Sequence, residues 1–149
     1  MDEGNAHTTE LAARAASEVW VVVSRLRRRL KDVVGEGDLT PAQASVLARL
    51  DKEGPASASD LAVAERVRPQ SMAKIVVALE QSRLVARQPD PGDGRRQLIS
   101  LTESGREHRL GVRRARQEWL AGALGERCTE AELRAVIEVM ALLDEVAHS

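Results

Sequence analysis

The chain has 149 residues, the length of one domain, with 43% apolar and 30% charged residues, the balance of a folded protein rather than a disordered tail. Phe and Tyr are absent and Trp20 and Trp119 are the only aromatics, which argues against the stacking surfaces that read single-stranded RNA. No apolar run reaches membrane-spanning length, residues 1–10 are polar and acidic, and the single Cys128 permits no internal disulfide. Neither a membrane span nor a secretory signal is therefore expected, and a reducing cytoplasm suits the chain.

The net charge of −1 hides a polarity: residues 1–24 carry −3, residues 25–54, 55–101 and 102–125 carry +2 each, and residues 126–149 carry −4. The basic middle points weakly to an anionic partner. Ordinary solvated helix faces explain it as well, and on charge alone that reading is preferred.

From about Thr9 to Val34, apolar residues recur at helical spacing through Leu11, Ala15, Val19, Val22, Leu26, Leu30 and Val33. The run predicts one long amphipathic helix. Val21, Val22 and Val23 make it apolar on more than one side, which suits packing against another subunit or, more simply, its own core. Gly35 to Asp38 breaks it. Thr40, Pro41 and Gln43 form a helix start, with a capping residue, a proline at the first position and a capping-box partner. That helix ends at Gly54-Pro55. Ser57 to Asp60 forms a second box and opens a short helix to about Ala64. Arg66-Val67-Arg68 connects it to a helix starting at Pro69 and ending near Ser82. Two short helices joined by a brief turn read as helix-turn-helix.

Leu84 to Arg87 can pair with Leu98 to Leu101 across the turn-rich segment from Gln88 to Arg96, a β-hairpin with a long tip. Thr102 caps a further helix to about Leu124, with Gly125 as its stop. Thr129 and Glu132 open the last helix through a third box. The expected fold is mainly α with a small β-hairpin wing: a winged helix-turn-helix flanked by long helices. The expected divisions are an N-terminal helix in residues 1–36, the winged helix-turn-helix in 37–101, and C-terminal helices in 102–149.

On the Pro69 helix, Met72, Ile75, Val76 and Leu79 form the buried stripe. The opposite face carries Gln70, Lys74, Val77 and Gln81, with Ser71, Ala73 and Ala78 on its flanks. Small residues let a backbone approach a DNA groove. Gln70 can present donor and acceptor to an adenine edge, Lys74 can reach a guanine or phosphate, and Val77 or Ala73 can touch a thymine methyl. Arg68 stands at the helix start, where first-turn N–H groups favour an anion. A plain solvated face would carry more Glu and Lys. Arg95 and Arg96 sit on the hairpin tip, suited to the negative potential of a narrow minor groove. Asp93 can hold an Arg side chain or cap the turn.

The stretches Leu39 to Gln43, Ser59 to Ala62, Arg68 to Met72, Leu79-Glu80 and Leu84-Val85 resemble the MarR (multiple-antibiotic-resistance regulator) family of transcription factors. Most specific is Asp90 to Thr102 with Gly105, which is similar to the family's wing signature of Asp-x-Arg, alternating strand residues and Leu-Thr-x-x-Gly. The resemblance implies a homodimer interlocked through the first and last two helices. It also implies the Pro69 helix in a major groove and Arg95, paired with Asp93 in the wing motif, in a minor groove. The expected DNA-binding residues are therefore Arg68, Pro69, Gln70, Ser71, Ala73, Lys74, Val77, Asp93, Arg95 and Arg96. Leu133, Val136, Ile137, Met140, Leu143 and Val146, with the Val-rich first helix, are expected in the dimer interface.

The function expected is a cytoplasmic regulator, a repressor on a pseudopalindromic operator that a signal releases. A winged-helix protein adaptor without DNA binding is the alternative. The resemblance also implies a small, often anionic effector. The runs Arg25 to Arg29 and Arg113 to Arg116, with Trp20 or Trp119, could serve it. The simpler reading, preferred here, pairs these arginines with acids or DNA and places the tryptophans in the core or dimer seam. Cys128 precedes a helix cap, a place that can activate a thiol, but an inert thiol is preferred. His7, His108 and His148 lack metal-ligand spacing, and no catalytic triad, phosphate loop or nucleotide fingerprint is present. No cofactor, metal or enzymatic activity is expected.

Overall fold

The computed structural model describes residues 3–149. Its elements in chain order are α1 (Glu3–Val33), α2 (Pro41–Glu53), α3 (Ala58–Ala64), α4 (Pro69–Gln81), β1 (Val85–Pro89), β2 (Gln97–Leu101), α5 (Glu103–Arg127) and α6 (Glu130–Ala147). They fall into two compact units, one ending at Val112 and the other running from Arg113 to Ser149. The architecture is the expected one, helices with one antiparallel hairpin.

The core of the first unit is a winged helix-turn-helix. Val46, Leu47 and Leu50 of α2, Leu61 and Ala62 of α3, and Met72, Val76 and Leu79 of α4 form one buried cluster with Val85 and Ile99 of the wing. Local sequence explains each boundary. Thr40 Oγ1 accepts from the Gln43 amide and the Gln43 side chain accepts from the Thr40 amide, a complete capping box in front of Pro41. Gly54 ends α2 at φ 86°, in the left-handed region that glycine tolerates. Ser57 Oγ accepts from the Asp60 amide to start α3. The box expected there is only half made, because the Asp60 carboxylate pairs with Arg96 instead.

The strands pair antiparallel, Val85 opposite Leu101 through Pro89 opposite Gln97. Gln88 and Pro89, expected in the tip, belong to β1. Pro89 ends an edge strand, where the ladder tolerates its missing N–H. The segment before α3 joins the same sheet: the Ala56 amide donates to Ile99 at 3.1 Å and the Ile99 amide to Ala56 at 2.7 Å. The wing base is thereby sewn to the start of α3.

Two helix ends also differ from expectation. α1 is already helical at Glu3, ahead of the start expected near Thr9, with the hydroxyls of Thr8 and Thr9 donating to the carbonyls of Gly4 and Asn5. α5 passes through Gly125 to Arg127. Gly125 keeps a negative φ. A glycine inside a helix costs only about 1 kcal/mol, so it need not end one. The stop comes instead where Thr129 caps α6 with a full box completed by Glu132.

The long helices have apolar sides that this chain leaves open. On α1, Leu11, Val22 and Trp20 are exposed, Trp20 by 74%. On α6 no residue is buried, and Val136, Ile137, Val139, Met140, Leu142 and Val146 all face outward.

Candidate nucleic-acid interface

α4 is presented by what lies beneath it. Met72, Val76 and Leu79 are fully buried against α2, α3 and the wing. The remaining turn of the helix is thus forced outward. Gln70, Ser71, Ala73, Lys74 and Val77 are all exposed, as are Arg68 at the N-cap and Pro69 at the first position. Arg68 makes no side-chain capping bond. Among the described residues, no side-chain hydrogen bond or ion pair engages Arg68 or Lys74.

The turn before α4 is held from α2. Glu65 accepts from Ser45 Oγ at 2.9 Å and from Arg49 Nε at 2.9 Å, and Arg49 also reaches Glu53 at 3.1 Å. The Glu65 bond, with Glu53 adding to it against some desolvation, raises the Arg49 pKa above its ordinary value. Arg66 takes a left-handed φ of 55°. The Val67 amide closes back onto Ala62 O at 3.0 Å, an end-of-helix closure that turns the chain toward α4.

The wing tip is a tight, side-chain-buttressed turn. Asp90 Oδ1 accepts from the Gly92 amide at 2.9 Å, and Asp93 Oδ1 accepts from the Arg95 amide at 3.1 Å. Of the two roles open to Asp93, the structure shows the turn cap. The Arg96 amide donates to Asp93 O at 3.0 Å, and the Asp90 amide donates to Arg96 O at 2.8 Å. The Arg95 side chain is exposed and engages no partner among the described residues. Arg96 differs: its guanidinium pairs with Asp60, donates to Ser57 Oγ at 3.0 Å and lies 3.9 Å from Asp90. The ten expected residues thus fall into two sets within the first unit, one on α4 and its cap, the other on the wing tip.

Sequence reasoning missed the ion pairs that brace this head. Arg109, nearly buried, lies 3.3 Å from Glu36 and 3.5 Å from Asp51, and His108 Nε2 lies 3.2 Å from Glu36. Glu36 precedes α2, Asp51 lies in α2, and the other two lie in α5. No local spacing in the sequence signals a link across some 70 residues.

The other expected positions carry less. Cys128 is a free, half-exposed thiol just before the Thr129 cap. Trp119 is half-buried and Trp20 exposed. Among the described residues no three His, Cys, Asp or Glu side chains gather into a metal-binding group, and no helix is long and apolar enough to cross a membrane.

The fold and the outward α4 face with its wing define a winged helix-turn-helix protein of the DNA-reading kind. The MarR family profile matches residues 37–96. An uncharacterized HTH-type transcriptional regulator of Mycobacterium bovis is 41% identical over 136 residues, 89% of this chain and 95% of the relative. A MarR family protein of Bacillus stearothermophilus superimposes with a TM-score of 0.68 at 22% identity, covering 95% and 98% of the two chains. A mutant of Staphylococcus aureus MepR bound to an oligodeoxyribonucleotide gives 0.64 at 18% identity, covering 89% and 97%. The chain belongs to the MarR family and is a transcriptional regulator.

Proposed function

We propose that this regulator binds a two-fold-symmetric duplex site as a homodimer, with α4 in the major groove and Arg95 in the minor groove. One observation carries the reading. Among the described residues, the exposed α4 face with Arg68 and Lys74, and the Arg95 side chain, make no side-chain hydrogen bond or ion pair, while the neighbouring Arg49, Arg87 and Arg96 are engaged. Gln70, Ala73 and Val77 supply base contacts, and Arg68, Ser71, Lys74 and the first-turn amides of α4 meet phosphate.

Residues 1–36 and 102–149, which flank the 37–101 head in the sequence, make the dimerisation region. The open apolar sides of α1 and α6 favour this, because a patch of that kind marks an association surface. A symmetric dimer offers two α4 helices to half-sites one helical turn apart. The regulator acts as a cytoplasmic repressor that a small-molecule or other signal releases.

The test is selection from a random duplex pool at two salt concentrations, in parallel with Arg95→Ala. Enrichment of a symmetric motif, steep loss with salt and failure of the variant are expected, since displaced counterions drive phosphate binding. A confirmed dimer that enriches nothing points instead to a winged-helix protein adaptor.

A further inference from the structure

Arg95 and Arg96 are adjacent on the tip, yet the structure treats them in opposite ways. Arg95 is free. Arg96 is bound through its side chain to Asp60 and Ser57 of the α3 start, and through its backbone it closes the tip turn onto Asp90 and Asp93. Ser57 is itself buried and caps α3, so the anchor is a rigid one. The wing base is already sewn to Ala56 at Ile99. The Arg96 contacts extend that attachment to the residue next to Arg95.

We propose that Arg96 is a positioning residue rather than a DNA ligand. With Asp60 and Ser57 it forms a latch that fixes the pitch of the wing against α3, so that Arg95 is held ready for the minor groove. The proposal rests on the DNA-reading function above. Pre-organising a contact lowers the ordering cost at binding, so the latch acts on affinity through Arg95.

Asp60 gives the test its sign. If Arg96 bound phosphate directly, Asp60 would compete with DNA for it, and Asp60→Asn would tighten binding. A latch predicts the reverse, although the variant removes a negative charge from the head. Binding of the selected duplex is measured for the parent, Asp60→Asn, Arg96→Ala, Arg95→Ala and the Asp60→Asn/Arg95→Ala pair across a salt series. Nitrogen NMR relaxation of the wing amides is measured on the same proteins without DNA.

Asp60→Asn and Arg96→Ala are expected to weaken specific binding by about tenfold, the scale of coupling between neighbouring residues. Their salt slope stays at the parent's value, because neither loses a phosphate contact. Asp60→Asn adds nothing to the loss already caused by Arg95→Ala. The amides of Gly92 to Arg95 become more mobile, while the unfolding midpoint barely moves, an exposed ion pair adding little stability. Tighter or unchanged binding in Asp60→Asn, or a shallower salt slope in Arg96→Ala, overturns the latch. Unaltered wing relaxation overturns it whatever the DNA results show. A parent that selects no duplex overturns the DNA-reading function beneath it, a distinct failure.

Discussion

Gly105 packs directly against the main chain of Leu84. A Cβ at Gly105 would fall well inside the van der Waals radius of the Leu84 carbonyl oxygen and lie 3.3 Å from Leu101 Cδ2. That carbonyl cannot retreat freely, because it accepts from the Thr102 amide at 3.0 Å. Thr102 ties the same junction twice more: its hydroxyl donates to Arg83 O at 2.6 Å and accepts from the Gly105 amide at 3.0 Å. The Leu-Thr-x-x-Gly stretch is therefore the joint at which the wing hands the chain to α5.

Gly105→Ala is expected to destabilise, against the usual gain of about 1 kcal/mol for Ala over Gly inside a helix. The overpacked backbone contact should cost about 1–3 kcal/mol. Urea unfolding of the variant checks the sign.

Arg109→Met removes the counter-ion that Glu36 and Asp51 share in a nearly dry setting, where the arginine side chain is 10% exposed. Breaking a pair this buried costs about 3 kcal/mol or more, well above what a surface pair contributes. The variant should unfold at markedly lower urea, whereas a change at the exposed Arg134–Glu130 pair should not.

Arg95→Ala separates binding from folding. Its side chain holds nothing in the free protein, so the thermal midpoint should match the parent. Duplex binding should fall, and parallel melting and fluorescence titration show both.

Gln70→Ala and Lys74→Ala should differ in kind. A base-reading glutamine costs about 1–3 kcal/mol and relaxes preference at one position. If Lys74 meets a phosphate, its loss weakens all sequences alike and lowers the salt slope by about 1. Titration against the selected site and its single-base variants distinguishes them.

Ile137→Glu and Met140→Glu place charges on an α6 face where this chain buries nothing. They should leave the first unit folded and convert the proposed dimer to single chains, and a parent that is already a single chain overturns the dimer. Sedimentation equilibrium reads the mass, and an unchanged dimer would move the interface elsewhere.

The elements and the outward face of α4 were legible because their causes are local. The Thr40 and Thr129 boxes act across three residues, and the stripe from Met72 to Leu79 needs only helical spacing. The Gly125 stop was misread for the same reason: a glycine signals a helix end only where the backbone turns left-handed, and here it does not.

By itself, then, the sequence determined the order of helices and hairpin and the buried stripe of α4. Only the tertiary structure decided that Arg96 serves Asp60, that Arg109 serves Glu36 and Asp51, and that Gly105 must be a glycine. Periodicity and capping are set by neighbours within a turn or two. The partner of a charge, or the backbone a residue must clear, is set by segments that meet only when the core closes.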